Sequence, residues 1–169
     1  SLALRTWLAA GPGHTTADTP HPERDGDVNF VATAVVDGLD MPWSLAFLPD
    51  GNVLITERSG GLKRADLQTG ELVDIAGLPE VHYRGQGGLL DVTIARDFNT
   101  SRTVFFSYSK PQRGGAGTTL ASARLSEEGT RLEEFTDVCE MARGSSGGRH
   151  FGSRVVEAED GTLFMTIGD

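Results

Sequence analysis

Two glycine-rich segments each carry one polar side chain that could take part in chemistry. His150 lies in the run Gly144–Arg154, and Gln86 lies in Tyr83–Gly88. A neutral imidazole can accept a proton near pH 7 because the ordinary pKa of histidine is about 6.5. A glutamine amide offers a donor and an acceptor, and neighbouring glycines let a flat ligand approach the backbone. The two segments therefore predict one shared site, provided that the fold brings them together.

The elements that would position these segments form a repeat of short strand-like runs separated by turn residues. The first set of four runs is Trp43–Leu48, Asn52–Arg58, Leu62–Leu67 and Glu71–Ala76. The second set is Leu89–Ala95, Thr103–Ser109, Thr118–Leu125 and Leu132–Met141. A third set begins with Ser153–Ala158 and Thr162–Ile167. Its first turn repeats that of the first set, so that Thr166 aligns with Thr56. Repeated four-stranded antiparallel sheets are typical of β-propeller blades.

We therefore predict an all-β propeller over residues 28–169. Blade 1 is expected at about 41–76, blade 2 at about 88–141 and the start of blade 3 at about 151–169. Both glycine-rich segments precede the first strand of a blade, so Gln86 and His150 should lie on one end of the sheets. About two and a half blades cannot close a ring of four to eight. We interpret the chain as part of a longer protein and expect it to be inactive alone. A five- or six-stranded sandwich with extra hairpins is the alternative fold.

Composition narrows the classes of partner. The formal net charge of −9 argues against nucleic acid, whose binding needs clustered lysine and arginine. No apolar run approaches the roughly 20 residues that span a bilayer. Cys139 is the single cysteine and predicts no internal disulfide. Residues 1–27 lack apolar periodicity after Leu2–Ala10, and we interpret them as a flexible lead-in or a signal-peptide remnant.

Several motifs resemble those of the glucose/sorbosone dehydrogenase family, the soluble sugar dehydrogenases that depend on pyrroloquinoline quinone (PQQ), and especially its aldose sugar dehydrogenase branch. The matching segments are Met41–Gly51, Gly85–Val92, Asp97–Phe98, Ser107–Ser109 and His150–Arg154. The resemblance covers essentially everything after the lead-in. It implies a periplasmic or secreted six-bladed propeller that binds PQQ and Ca²⁺. It also implies oxidation of aldoses at the anomeric carbon to lactones, with electrons passing to an external acceptor.

The resemblance assigns roles to single residues. His150 matches the family's general base, and Gln86 matches a glutamine beside cofactor and substrate. Arg149 replaces an Asp or Asn that often precedes the histidine in the family, and we expect it to contact the sugar. Most PQQ and calcium ligands are expected beyond residue 169, and no metal ligand is assigned here.

Two further residues and two other functions stay open from the sequence. Arg154 is either a charge lining the channel or half of an ion pair. Asp91 is either a cation ligand in the complete protein or a turn cap or solvated charge. A non-catalytic propeller used as a binding module is the alternative function, although it would have no need for Gln86 and His150 together. A propeller hydrolase would need a set of metal ligands that these residues do not supply.

Overall fold

The computed structural model describes residues 22–25 and 28–168, whose regular structure is almost entirely antiparallel sheet. The strands are β1 (Pro22–Asp25), β2 (Val28–Val31), β3 (Pro42–Phe47), β4 (Val53–Glu57), β5 (Leu62–Ala65), β6 (Leu72–Asp74), β7 (Leu89–Ile94), β8 (Thr103–Gln112), β9 (Gly115–Leu125), β10 (Leu132–Glu140), β11 (Val155–Glu157) and β12 (Leu163–Met165). A single helical turn, α1 (Phe98–Ser101), precedes β8.

The strands form consecutive sheets in the order of the chain. Strands β3 to β6 make one four-stranded sheet, blade 1, and β7 to β10 make a second, blade 2. Strands β11 and β12 pair as the beginning of blade 3, and β1 pairs with β2. The first strand of blade 2, β7, contacts β3 of blade 1 and β11 of blade 3. These sheets confirm the predicted architecture of four-stranded antiparallel propeller blades.

Some local structure differs from the prediction. Strand β1 lies inside the segment interpreted as a lead-in, while residues 1–21, which include Leu2–Ala10, lie outside the described residues. The β8–β9 hairpin is also longer than predicted, because Lys110–Gln112 pairs with Gly115–Gly117. Backbone pairing needs no apolar side chain, so polar and glycine-rich strand ends give no hydrophobic signal. Arg102 ends α1 in the left-handed conformation, with a φ of 55°.

Apolar residues on alternate faces of β4 bind blade 1 to its neighbours. Val53 and Ile55 pack with Val36 and Leu39 on one face. Leu54 belongs to the large cluster that joins blades 1 and 2, together with Leu48, Leu62, Leu89, Val92, Val104, Phe106, Tyr108 and Leu125. A third cluster consists of Leu90, Ala116 and Phe151, and it joins blade 2 to the loop before β11. Burial of these side chains fixes how successive sheets stack.

In blades 1 and 2, a hydroxyl group of the second strand lies opposite a register shift in the first strand and connects the blade to the next one. In blade 1 the pairing register shifts between Pro42 and Ser44. The freed N–H of Ser44 donates to Thr56 Oγ1 at 3.0 Å, and the Thr56 hydroxyl donates to the Leu90 carbonyl of blade 2 at 2.6 Å. A bulge releases a backbone group from the sheet ladder. Here a buried hydroxyl satisfies that group and also binds the neighbouring blade.

Blade 2 repeats this arrangement toward blade 3. The register of β7 shifts between Leu89 and Val92. The N–H of Asp91 donates to Ser107 Oγ at 3.1 Å, and the Ser107 hydroxyl donates to the Ser153 carbonyl at 2.8 Å. In blade 3, Thr166 Oγ1 accepts the N–H of Arg154 at 3.1 Å. The sequence alignment of Thr166 with Thr56 therefore corresponds to an equivalent contact in the structure.

Candidate functional site

The two glycine-rich segments meet. The side-chain Oε1 of Gln86 accepts the backbone N–H of His150 at 3.0 Å, and the backbone N–H of Gln86 donates to the Gly148 carbonyl at 2.8 Å. Both side chains are exposed, at the end of the sheets where β7 and β11 begin. Residues separated by 64 positions in the chain thus form one surface.

Close backbone approach is what allows these segments to touch. Gly85 has a φ of 59°, and a Cβ added there would lie 2.3 Å from the Gly148 carbonyl oxygen. No side chain fits at that distance, so the contact requires glycine. His150 itself has a φ of 64°, a left-handed conformation that costs of order 1–3 kcal/mol for residues other than glycine. The surrounding structure must therefore hold His150 in place.

Side chains of blade 2 hold the backbone that follows His150. The buried Thr118 hydroxyl donates to the Phe151 carbonyl at 2.7 Å. The Ser107 hydroxyl holds the carbonyl of Ser153, a residue with a φ of 119°. Asp91 Oδ2 accepts the N–H of Val155 at 2.6 Å. The segment that leads from His150 into β11 is thus fixed at several points to one neighbouring sheet.

Asp91 joins all three blades. Its side chain is 3% exposed, and its Oδ1 accepts the Ser44 hydroxyl of blade 1 at 2.6 Å and lies 3.1 Å from Arg154 Nη1. The Arg154 side chain is 67% exposed, so its charge faces open space although it pairs with a buried carboxylate. Arg154 is therefore half of an ion pair, and it also lines the cavity of about 740 Å³ next to the start of β3. Asp91 is neither a turn cap nor a solvated charge.

A cavity of about 740 Å³ adjoins the start of β3 and is lined by residues 41–45 with Ile55, Arg58 and Arg154. Tyr83, from the same segment as Gln86, contacts two residues that line this cavity. Its hydroxyl lies 2.9 Å from the sulfur of Met41, and the Arg58 guanidinium stands 5.2 Å from its ring centroid. The sequence analysis missed Arg58 and Tyr83 as part of this surface. Tyr83 adjoins the segment that carries Gln86, which was the available signal.

Cationic side chains gather at this end of an otherwise acidic chain. Arg149 is exposed in the loop immediately before His150, and Arg84 is exposed two residues before Gln86. Together with Arg154 they give this end hydrogen-bond donors suited to carboxylate and carbonyl oxygens. Among residues 22–25 and 28–168, no three His, Cys, Asp or Glu side chains are grouped so as to hold a metal ion.

Comparison with known proteins identifies the class. A model of the family described as Glucose / Sorbosone dehydrogenase matches residues 39–169. The chain therefore belongs to the glucose/sorbosone dehydrogenase family, which confirms the resemblance drawn from its motifs.

The chain is similar in sequence and in structure to individual sugar dehydrogenases. The chain is 42% identical over 135 residues to aldose sugar dehydrogenase YliI of Escherichia coli (strain K12), a match that covers 79% of this chain and 36% of that protein. A glucose dehydrogenase crystal structure superposes with a TM-score of 0.76 at 44% identity, covering 79% of this chain and 39% of the other. The PQQ-bound aldose sugar dehydrogenase of Streptomyces coelicolor superposes with a TM-score of 0.69 at 26% identity, covering 79% and 40%. The chain thus spans well under half the length of these relatives. No helix in the part of the chain described here has the length and apolar character to cross a membrane.

Proposed function

We propose that this chain forms part of a PQQ-dependent dehydrogenase that oxidises aldoses at the anomeric carbon to lactones. The observation that carries the proposal is the contact between Gln86 and His150, 3.0 Å from side-chain oxygen to backbone nitrogen. It gathers a candidate base and a candidate amide donor on one exposed, glycine-lined surface. Membership of the sugar dehydrogenase family supports the reaction class.

In this proposal His150 is the catalytic base. Its imidazole accepts the proton of the anomeric hydroxyl, while the hydrogen on the same carbon leaves with its electron pair. Loss of both converts the cyclic hemiacetal into a lactone. Bound PQQ supplies the hydride acceptor, a chemistry that amino-acid side chains lack. The exposed position of His150 leaves its ring accessible to a sugar, while its backbone is held by Gln86.

The donors on this surface fit a quinone that carries carboxylate groups. Because Gln86 uses its Oε1 for His150, the two hydrogens on Nε2 remain to be donated to a quinone or substrate oxygen. We assign Gln86 to the cofactor and Arg149, exposed beside His150, to the sugar hydroxyls. A guanidinium donates but cannot accept, so Arg149 binds sugar oxygens through their lone pairs.

Other features of the complete protein follow from the family alone. We propose a periplasmic or secreted location and an external electron acceptor. Calcium is also implied by the family, but the described residues form no group of ligands for it.

The test is His150→Ala in the complete protein, reconstituted with PQQ and mixed with aldose in a stopped-flow instrument. Loss of a positioned base should slow single-turnover cofactor reduction about 10²–10⁴-fold. His82→Ala is the matched control, because His82 bonds to Ser109 through its backbone N–H and carbonyl, which the substitution keeps. Quinone binding, titrated separately, should change little. Reduction at the parental rate in His150→Ala would refute the assignment and favour the binding-module alternative.

A further inference from the structure

We propose that four side chains preceding or within blade 2 act as positioning residues for His150, by holding the backbone from residue 150 to residue 155. The four anchors are Gln86, Asp91, Ser107 and Thr118. They bind, in that order, the His150 N–H, the Val155 N–H, the Ser153 carbonyl and the Phe151 carbonyl. The effect on rate rests on the proposed function, whereas the effect on the His150 backbone does not.

The contacts are distributed around the strained points of the segment. His150 and Ser153 both have positive φ, at 64° and 119°. Anchors bind the N–H of the first and the carbonyl of the second, and Thr118 binds the carbonyl of Phe151 between them. Non-glycine residues persist in such conformations only where surrounding contacts determine them. Asp91, Ser107 and Thr118 supply such contacts from the sheet of blade 2, which does not contain the segment, and Gln86 supplies its contact from the loop that precedes that sheet.

Three of the anchors are buried, so water cannot easily take over their hydrogen bonds when their side chains are removed. Ser107 and Thr118 are 0% exposed, and Asp91 is 2% exposed. Water therefore cannot substitute for a lost hydroxyl without a change in packing. Because blade 2 also carries the Gln86 segment at its start, it sets the position of both halves of the candidate site.

The neighbouring residue Thr119 provides a matched control. It is 0% exposed like Thr118 and follows it in β9, but its hydroxyl is buried without a hydrogen-bond partner among the described residues. Thr118→Val and Thr119→Val make the same change in side-chain shape and polarity at adjacent positions. Only the first removes a contact with the His150 segment.

The experiment uses the complete protein labelled with ¹⁵N-histidine, without cofactor, and reads the amide and imidazole signals of His150. The signals are assigned with His150→Gln. Thr118→Val and Ser107→Ala should shift these signals and speed hydrogen exchange of the His150 amide. Thr119→Val should leave them at parental values, and Thr118→Ser, which keeps the hydroxyl, should restore them. In the PQQ-loaded protein, Thr118→Val and Ser107→Ala should each slow single-turnover reduction of the cofactor about tenfold, because small displacements of a reacting group reduce rates strongly.

The outcomes separate this proposal from the proposed function. If Thr118→Val and Ser107→Ala leave the His150 signals and exchange unchanged, the anchors do not position His150. The same conclusion holds if Thr119→Val alters the signals as much as Thr118→Val does. If Thr118→Val does not fold, Ser107→Ala decides the question. Shifted signals with an unaltered rate in His150→Ala would support the anchors and overturn the assignment of the base.

Discussion

Replacing Asp91 by asparagine tests the contact that joins the three blades. The carboxylate accepts the Val155 N–H on one oxygen and the Ser44 hydroxyl on the other, both at 2.6 Å. Asparagine keeps the size but has one oxygen and no charge, so it loses the ion pair with Arg154, which lies 3.1 Å from Oδ1, and its amino group must face either the Val155 N–H or the Arg154 guanidinium. Hydrogen bonds to a charged group contribute about 1.5–3 kcal/mol each, and a buried donor left unpaired costs about 1–3 kcal/mol. We therefore expect Asp91→Asn to lower the free energy of unfolding by about 3 kcal/mol.

Urea unfolding of the complete protein, followed by circular dichroism, measures this loss as a lower midpoint with an unchanged slope. Asp74→Asn is the matched control. Asp74 also accepts a side-chain donor at 2.6 Å, from Lys63, but its side chain is 85% exposed. An exposed pair contributes about 0–1 kcal/mol, so the control should unfold almost as the parent does. Equal midpoints for Asp91→Asn and Asp74→Asn would show that the buried contacts of Asp91 contribute no more to the free energy of unfolding than an exposed ion pair does.

Three further changes have defined outcomes. Burial raises the pKa of Tyr108 above the ordinary tyrosine value of 10, and the hydrogen bond to Asp137 raises it further. The neutral phenol therefore stabilises the folded state fully below pH 10, and this stabilisation is lost as the pH rises above 10. Tyr108→Phe should therefore lose stability less steeply in alkaline unfolding titrations, and an unchanged slope would contradict this. Gly85→Ala would place a Cβ 2.3 Å from the Gly148 carbonyl oxygen, and it should lower single-turnover reduction at least tenfold, whereas parental kinetics would show that this approach is not needed. In the proposed enzyme, Arg149→Asn adds an acceptor at the proposed contact with the sugar hydroxyls and should change the order of kcat/KM among aldoses, so an unaltered order would remove Arg149 from the proposed substrate site.

The sequence was sufficient to predict the sheets because turn residues and short strand-like runs are local signals. The turn after Leu48 separates two short apolar runs, and so does the turn after Ala158. The structure has the hairpins β3–β4 and β11–β12 at these places. The meeting of Gln86 with His150 was also predictable, since both segments precede the first strand of a blade. Their direct hydrogen bond was not, because it depends on backbone conformations at Gly85 and His150.

The contacts between blades could not be read from the sequence for a different reason. Ser107 and Thr118 have the composition of ordinary strand residues, and their partners lie 46 and 33 positions further along the chain. The role of Asp91 was also open from the sequence, since a lone carboxylate in a strand can bind a cation, cap a turn, pair with a cation or face solvent. The N–H of Asp91 meets Ser107 at the register shift of β7, and a bulge has no reliable hydrophobic pattern.

The repeated hydroxyl contact explains how a modular fold holds two different loops in register. Thr56 of blade 1 binds the carbonyl of Leu90, close behind the Gln86 segment, and Ser107 of blade 2 binds the carbonyl of Ser153, close behind His150. Blades 1 and 2 therefore each bind the chain just after the glycine-rich loop of the blade that follows. A shift of blade 2 would move Gln86 directly and His150 through the anchors, so the two should move together. We therefore expect a displacement of blade 2 to change the separation between Gln86 and His150 less than it would in a site built from loops that share no neighbouring sheet.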